Sequence, residues 1–149
     1  DVNVTEVASG PEAYLADLIS KETDKKITVY EPDLVNTSNP NIIYRKEKFT
    51  NKTDIKDCNT LVGIYPCKAT TILIDKAFDE NKNLFLGFCS CDHSNMKYPH
   101  YNLDVEWCEE ICRQLKEQYG SEIDIVKLPE RYFKQNPILI KKMNLSNIT

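Results

Sequence analysis

The sequence predicts an α+β domain, a largely antiparallel sheet with an N-terminal helix and a disulfide-tethered C-terminal helix. Three observations predict it. The periodicities run helix, several strands in succession, helix, strand, and successive strands pair most simply as antiparallel neighbours. Six cysteines, an even set, stand at 58, 67, 89, 91, 108 and 112. Five Asn-x-Ser/Thr patterns begin at Asn3, Asn36, Asn51, Asn144 and Asn147.

The N-terminal helix is expected over 11–22. Ser9-Gly10-Pro11-Glu12 fits a capping box with proline in the first turn, and Tyr14, Leu15, Leu18 and Ile19 follow at helical period as a core stripe. Residues 25–31 alternate Ile27 and Val29 with Thr28 and Tyr30, which predicts a strand. The polar stretch 32–41, with Pro32 and Pro40, predicts an exposed loop. Further strands are expected at 42–49, 60–65 and 69–75, the last rich in β-branched residues. The polar run 79–83 then reads as a turn, joining 69–75 to 84–88 in a buried antiparallel hairpin.

A second helix is expected over 103–119, with Val105, Cys108, Ile111, Cys112, Leu115 and Tyr119 on one stripe and Gly120 as its stop. Ile123, Ile125 and Val126 form a strand directly after it, and 137–143 adds a short edge. A late helix leading directly into a strand resembles the lipocalin arrangement. The Gly-x-Trp signature of that family is absent and the lone tryptophan, Trp107, lies on the helix, so no family is assigned. The 149 residues suit one domain, with 1–8 and 144–149 expected as flexible ends.

In a short chain of extracellular type an even cysteine set reads as a disulfide framework. Cys89 and Cys91 share a strand face, and Cys108 and Cys112 lie one helical turn apart, so neither pair closes on itself easily. A bridge from the second helix to the Cys89/Cys91 segment is the economical solution, with Cys58 and Cys67 closing a local loop. A zinc site on these cysteines and His93 is disfavoured, because the x1 and x3 spacings do not match paired knuckles. The Asn-x-Ser/Thr patterns read as glycan acceptors. An opening Asp1 is the form expected of a mature chain whose signal peptide has been removed. The expected location is therefore secreted, or the extracellular face of the plasma membrane.

A net charge of −4 without a basic patch argues against a nucleic-acid partner. No apolar run reaches the roughly 20 residues that span a bilayer, so no membrane insertion is expected within this segment. Four glycines, none clustered, leave no raw material for a nucleotide cradle, and no cofactor or metal is expected. Catalysis has only His93 and His100 to draw on, with Asp92 beside the first.

Met96, Tyr98, Pro99, His100 and Tyr101 place large side chains between Cys91 and Cys108, in the interval free of glycan acceptors. Aromatic anchors on a cysteine-bracketed loop suit protein recognition. The function expected is a non-catalytic binding module for another extracellular protein, in a host-interaction or immunomodulatory role. The alternatives are an extracellular carrier of a small apolar ligand, in a lipocalin-like role, and a small secreted hydrolase.

Overall fold

A computed structural model describes residues 2–88, 104–127 and 137–147. Its strands are β1 (Asn3–Val7), β2 (Lys26–Tyr30), β3 (Ile42–Arg45), β4 (Thr60–Ile64), β5 (Asn83–Gly87), β6 (Ile123–Val126) and β7 (Ile138–Lys141). Its helices are α1 (Tyr14–Glu22), α2 (Thr70–Asp79) and α3 (Asp104–Tyr119). The strands form one seven-stranded sheet in the order β3-β2-β1-β4-β5-β7-β6. β1 pairs in parallel with β2 and β4, β2 with β3, and β4 with β5. Only β7 runs antiparallel, to both β5 and β6.

The expected antiparallel sheet is therefore corrected to a mostly parallel one. Parallel neighbours need a crossover, usually a helix. Here the crossovers from β2 to β3 and from β3 to β4 are irregular, so the sequence presents strands in succession with no helix between them. The expected hairpin at 69–88 is also corrected. Thr70–Asp79 is a helix, and β5 returns parallel to β4. Thr70, Leu73, Ile74 and Ala77 are its buried positions, a helical i, i+3, i+4, i+7 set that outweighs its β-branched content. β7, expected at an edge, is interior, and β6 is the edge. Residues 3–7, expected within a flexible end, supply the interior strand β1.

Alternate residues of the strands feed two cores, one on each face of the sheet. Val4, Ile27, Val29, Ile42 and Val62 pack with Ala13 and Ala16 of the α1 segment. Val7, Leu61, Leu84, Leu86 and Leu139 pack with α2 and α3 on the other side. Full burial of each such Leu, Ile or Val contributes about 1.5–3 kcal/mol. The connection 46–59 covers part of the second face through buried Phe49 and Ile55. Phe49 meets the Tyr30 ring edge-on at 5.5 Å. α2 and α3 meet where Phe78 stacks on Tyr119 at 4.0 Å.

Helix α1 departs from its expected form. It starts at Tyr14 rather than residue 11, and Ala13 at its cap is left-handed, with no side-chain cap from a Ser9–Glu12 box. Tyr14 and Leu18 are 75% and 55% exposed, because the buried stripe is Ala13 and Ala16, with Leu15 and Ile19 at its margins. Small residues there let the helix lie close on the sheet.

No disulfide is found among the described residues, so the tether expected for the C-terminal helix is corrected. Cys108 and Cys112 face the core of α3 together with Ile111 and Leu115, as small apolar groups. Burial pushes the Cys112 thiol up to about 12. The Cys58 thiol is also raised by burial and donates to the Thr60 carbonyl at 3.2 Å. Cys89 and Cys91 lie outside the described residues.

Candidate functional site

The sheet order reverses between β1 and β4. From β1 the chain winds outward through β2 to β3, and from β4 it winds the other way to β5. In open parallel sheets ligands bind in the crevice outside the carboxyl ends of the strands at such a switch point. Here that crevice is bordered by the β1–α1 turn, the residues after β2 and the turn after β4.

Backbone strain concentrates at the same edge. Ala8 (φ 56°), Ala13 (φ 48°), Tyr65 (φ 55°) and Cys67 (φ 49°) are left-handed although none is glycine, and Gly10 between the first two is at 76°. Among the described residues the one other such non-glycine is Asn81, past the end of α2, where this conformation is common. A left-handed residue with a Cβ costs roughly 1–2 kcal/mol. Strain of that kind clusters at ligand clamps and active sites when surrounding structure enforces it.

Hydrogen bonds do enforce it. Glu31, just past β2, accepts the Gly10 amide on Oε2 at 3.0 Å and the Asp33 amide on Oε1 at 2.9 Å. The Val35 amide donates to the Pro11 carbonyl at 2.9 Å, and the Ala8 amide to the Tyr30 carbonyl at 2.9 Å. Across the crevice the Tyr65 amide donates to the Gly87 carbonyl at 2.8 Å, and Thr70 Oγ1 donates to the Cys67 carbonyl at 2.7 Å.

Two acids are buried under this edge. Glu31 is 7% exposed and Glu6, on β1, is 2% exposed. Oε2 of Glu6 has no hydrogen-bond partner among the described residues. Burial raises the Glu6 carboxyl to about 7; the Ala16 amide, which bonds it, pulls the other way, and the Glu31 charge adds to the rise. None of the ion pairs among the described residues involves Glu6 or Glu31. Glu6 and Glu31 are thus two buried acids at this edge, with no cation paired to either among the described residues.

A separate cavity of about 580 Å³ lies on the opposite face of the sheet from α1, under residues 52–58. Its lining mixes Arg45 and Lys26 with Glu47 and Asp54 and converges no buried acid or base on a point.

The residues expected to bind a partner, Met96, Tyr98, Pro99, His100 and Tyr101, lie outside the described residues, as does His93. The glycan acceptors have another structural reading. Asn3 and Thr5 belong to the interior strand β1, with Asn3 Nδ2 donating to the Asp57 carbonyl at 2.7 Å and Thr5 buried. Asn36 and Asn144 each accept the amide two residues on, from Ser38 at 3.1 Å and Ser146 at 3.0 Å. That is an Asx turn, which favours the same Asn-x-Ser pattern. Nδ2 of Asn144, the atom a glycan would occupy, donates to Glu122 at 2.8 Å. Asn51 sits in the 46–59 connection, its carbonyl accepting from Lys76 at 3.2 Å.

Sequence reasoning passed over Glu6, Ala8, Gly10 and Glu31. The signal was present: an acid inside the apolar strand 3–7, one glycine just beyond it, and a second acid 21 positions after that glycine. Searching for clustered glycines hid it, since alanine fills two of the left-handed positions.

No protein-family model matches the chain, and no curated protein matches it. Solved structures do. The chain is similar to a chain of the fibrillarin/Nop5p complex at 13% identity and TM-score 0.62, over 97% of this chain and 73% of that one. It is similar to a putative S-adenosyl-L-methionine-dependent methyltransferase from Methanococcus maripaludis at 14% identity and TM-score 0.51, over 96% and 78%. It is similar to the antibiotic-resistance methyltransferase Kmr at 10% identity and TM-score 0.53, over 97% and 87%.

At these identities the likeness is one of fold. It overturns the expectation of a secreted or cell-surface, non-catalytic module, and with it the extracellular carrier and the secreted hydrolase. The binding module was expected on a disulfide-stapled antiparallel domain, whereas this sheet is one that methyltransferases also use. The expected secretion loses support too, since the described cysteines form no disulfide and two of the acceptor patterns, at Asn36 and Asn144, form Asx turns.

Proposed function

We propose that this chain is the cofactor-binding domain of an S-adenosyl-L-methionine-dependent methyltransferase, with its site at the carboxyl edge of β1 and β2. One observation carries the reading: Glu6 and Glu31 are buried together under the left-handed β1–α1 turn, at the switch point of the sheet, with no cation paired to either among the described residues.

The residues fit that cofactor better than a phosphorylated one. A pyrophosphate needs free amides and positive potential at the first turn. Here the Gly10 amide is already given to Glu31, and the buried Glu31 carboxylate opposes phosphate charge. A nucleoside carrying a sulfonium and an ammonium meets the opposite condition. A carboxylate has about four acceptor positions. Amides fill two on Glu31, leaving two for a pair of ribose hydroxyls. The acid 21 positions beyond the turn glycine also stands where dinucleotide folds place their ribose-binding acid. A Cβ built on Gly10 meets nothing within 4 Å, so the turn opens onto free volume.

When bound, the cofactor supplies an electrophilic methyl group. This chain's own residues bind and orient: Glu31 holds the ribose, Glu6 sets the charge beneath it, and the Tyr65–Cys67 turn forms the opposite wall. Calorimetric titration with S-adenosyl-L-methionine tests the reading. Micromolar binding, weakened at least tenfold in Glu31→Ala, is expected. Absence of heat and of a thermal shift at millimolar ligand, with a shift from NAD instead, would overturn it.

A further inference from the structure

We propose that Glu6 makes occupation of this site proton-linked: its carboxyl holds a proton in the free protein and releases it to solvent when a cationic ligand enters. The site thereby tells a sulfonium donor from the uncharged thioether left after methyl transfer. The inference rests on the reading above and adds a means of discrimination to it.

The geometry that carries it is an acid with an unanswered oxygen. Glu6 is on the middle strand of the parallel half, paired in register with Val29 of β2 and Val62 of β4, both apolar. The groups facing it are few. From α1 comes the Ala16 amide, which bonds the carboxyl, and from the residues after β2 comes the Glu31 carboxylate. Of the two acids on α1, Asp17 is turned to Lys21 at 2.6 Å and to Asn39 at 2.8 Å, and Glu22 is exposed at the helix end. No ammonium or guanidinium is paired with Glu6 among the described residues, and its Oε2 is unpartnered. A second negative charge beside the first is unfavourable in such a place. Burial and Glu31 together raise the Glu6 carboxyl to about 7, so it is close to half protonated at neutral pH and mostly protonated at pH 6.

A positive ligand charge in the crevice reverses that balance. The O–H bond of Glu6 breaks, the proton passes to buffer, and the carboxylate remains as counter-charge to the ligand. Nothing is oxidised or reduced. An uncharged thioether provides no such compensation and leaves the proton in place. The product is then held without the ion attraction that held the donor.

Calorimetry of wild type and Glu6→Gln in two buffers of different ionisation enthalpy tests this, with S-adenosyl-L-methionine and S-adenosyl-L-homocysteine as probes. The ligand's own ammonium titrates alike in both proteins, so their difference isolates Glu6. Wild type should release close to one additional proton with the sulfonium at pH 6 and almost none with the thioether. Its donor affinity should rise by up to tenfold per pH unit below 7, and Glu6→Gln should lose both effects. Equal proton release and equal pH profiles in the two proteins overturn the inference. If neither probe binds either protein, the cofactor reading fails instead. An infrared carboxylic-acid band at pH 6, present in wild type and missing in Glu6→Gln, reads the Glu6 proton independently of either probe, and its absence from wild type overturns the inference.

Discussion

Glu31 Oε2 accepts the Gly10 amide at 3.0 Å, which ties the end of β2 to the left-handed turn after β1. The same carboxylate accepts the Asp33 amide, so one side chain fixes two loops. Hydrogen bonds to a buried charged group contribute about 1.5–3 kcal/mol each. Glu31→Ala should therefore lower stability by about 2–3 kcal/mol, which for a chain of this size is a melting-point loss of roughly 4–12 °C. Glu31→Gln keeps one acceptor and should lose less. A Glu31→Ala protein that melts with wild type would show that the turn is held by other contacts.

Close approach of α2 to β4 depends on Gly63. A Cβ there would lie 2.6 Å from Leu73 Cδ1 and 3.2 Å from Pro66 Cγ, and Leu73 is fully buried. Overpacking of this kind costs about 1–3 kcal/mol. Gly63→Ala should destabilise by that amount in urea unfolding. Leu73→Val, which shortens the offending side chain, should recover part of the loss, so the two substitutions together cost less than their sum. Strict additivity would mean that the strand yields rather than the leucine.

The thiols make a prediction opposite to the one the cysteine count invites. Cys58 and Cys112 are buried and burial raises both, so neither offers a thiolate at neutral pH. Brief alkylation of the native protein should leave these two unmodified, while alkylation in denaturant labels them without prior reduction. Recovery of either in a disulfide-linked peptide would restore the stapled-domain picture.

Part of this architecture was readable in the residues and part was not. Helix α3 was, because its stripe from Cys108 to Leu115 is buried at helical spacing and Gly120, at φ 59°, ends it. The positions of β2, β4 and β5 were readable from alternation and apolar runs. Their direction was not, since pairing partners lie far apart in sequence and two crossovers carry no helix to announce themselves. Residues 70–79 show two local signals in conflict. β-branching argued for strand and the spacing of Thr70, Leu73, Ile74 and Ala77 for helix, and packing on Leu61 and Leu84 favoured the spacing. The site was harder still. Glu6 and Glu31 acquire meaning only when β1 and β2 lie side by side, which no local pattern states.

Glu6 also makes stability depend on pH, in a direction that can be worked out. Its carboxyl titrates near 4.5 when unfolded and near 7 when folded, raised mainly by burial. Between those values the folded state binds more protons than the unfolded state, so stability falls as pH rises through the window. Each unit of difference corresponds to 1.36 kcal/mol. The carboxyl is almost wholly buried, so the loss from pH 4.5 to above 7 should be on the order of 3 kcal/mol, superimposed on other groups. Glu6→Gln carries no titrating proton and should flatten that part of the profile, gaining on wild type at pH 8. The check is urea midpoints of both proteins from pH 4.5 to 8.5. Parallel curves would mean that the Glu6 carboxylate is already compensated in the free protein.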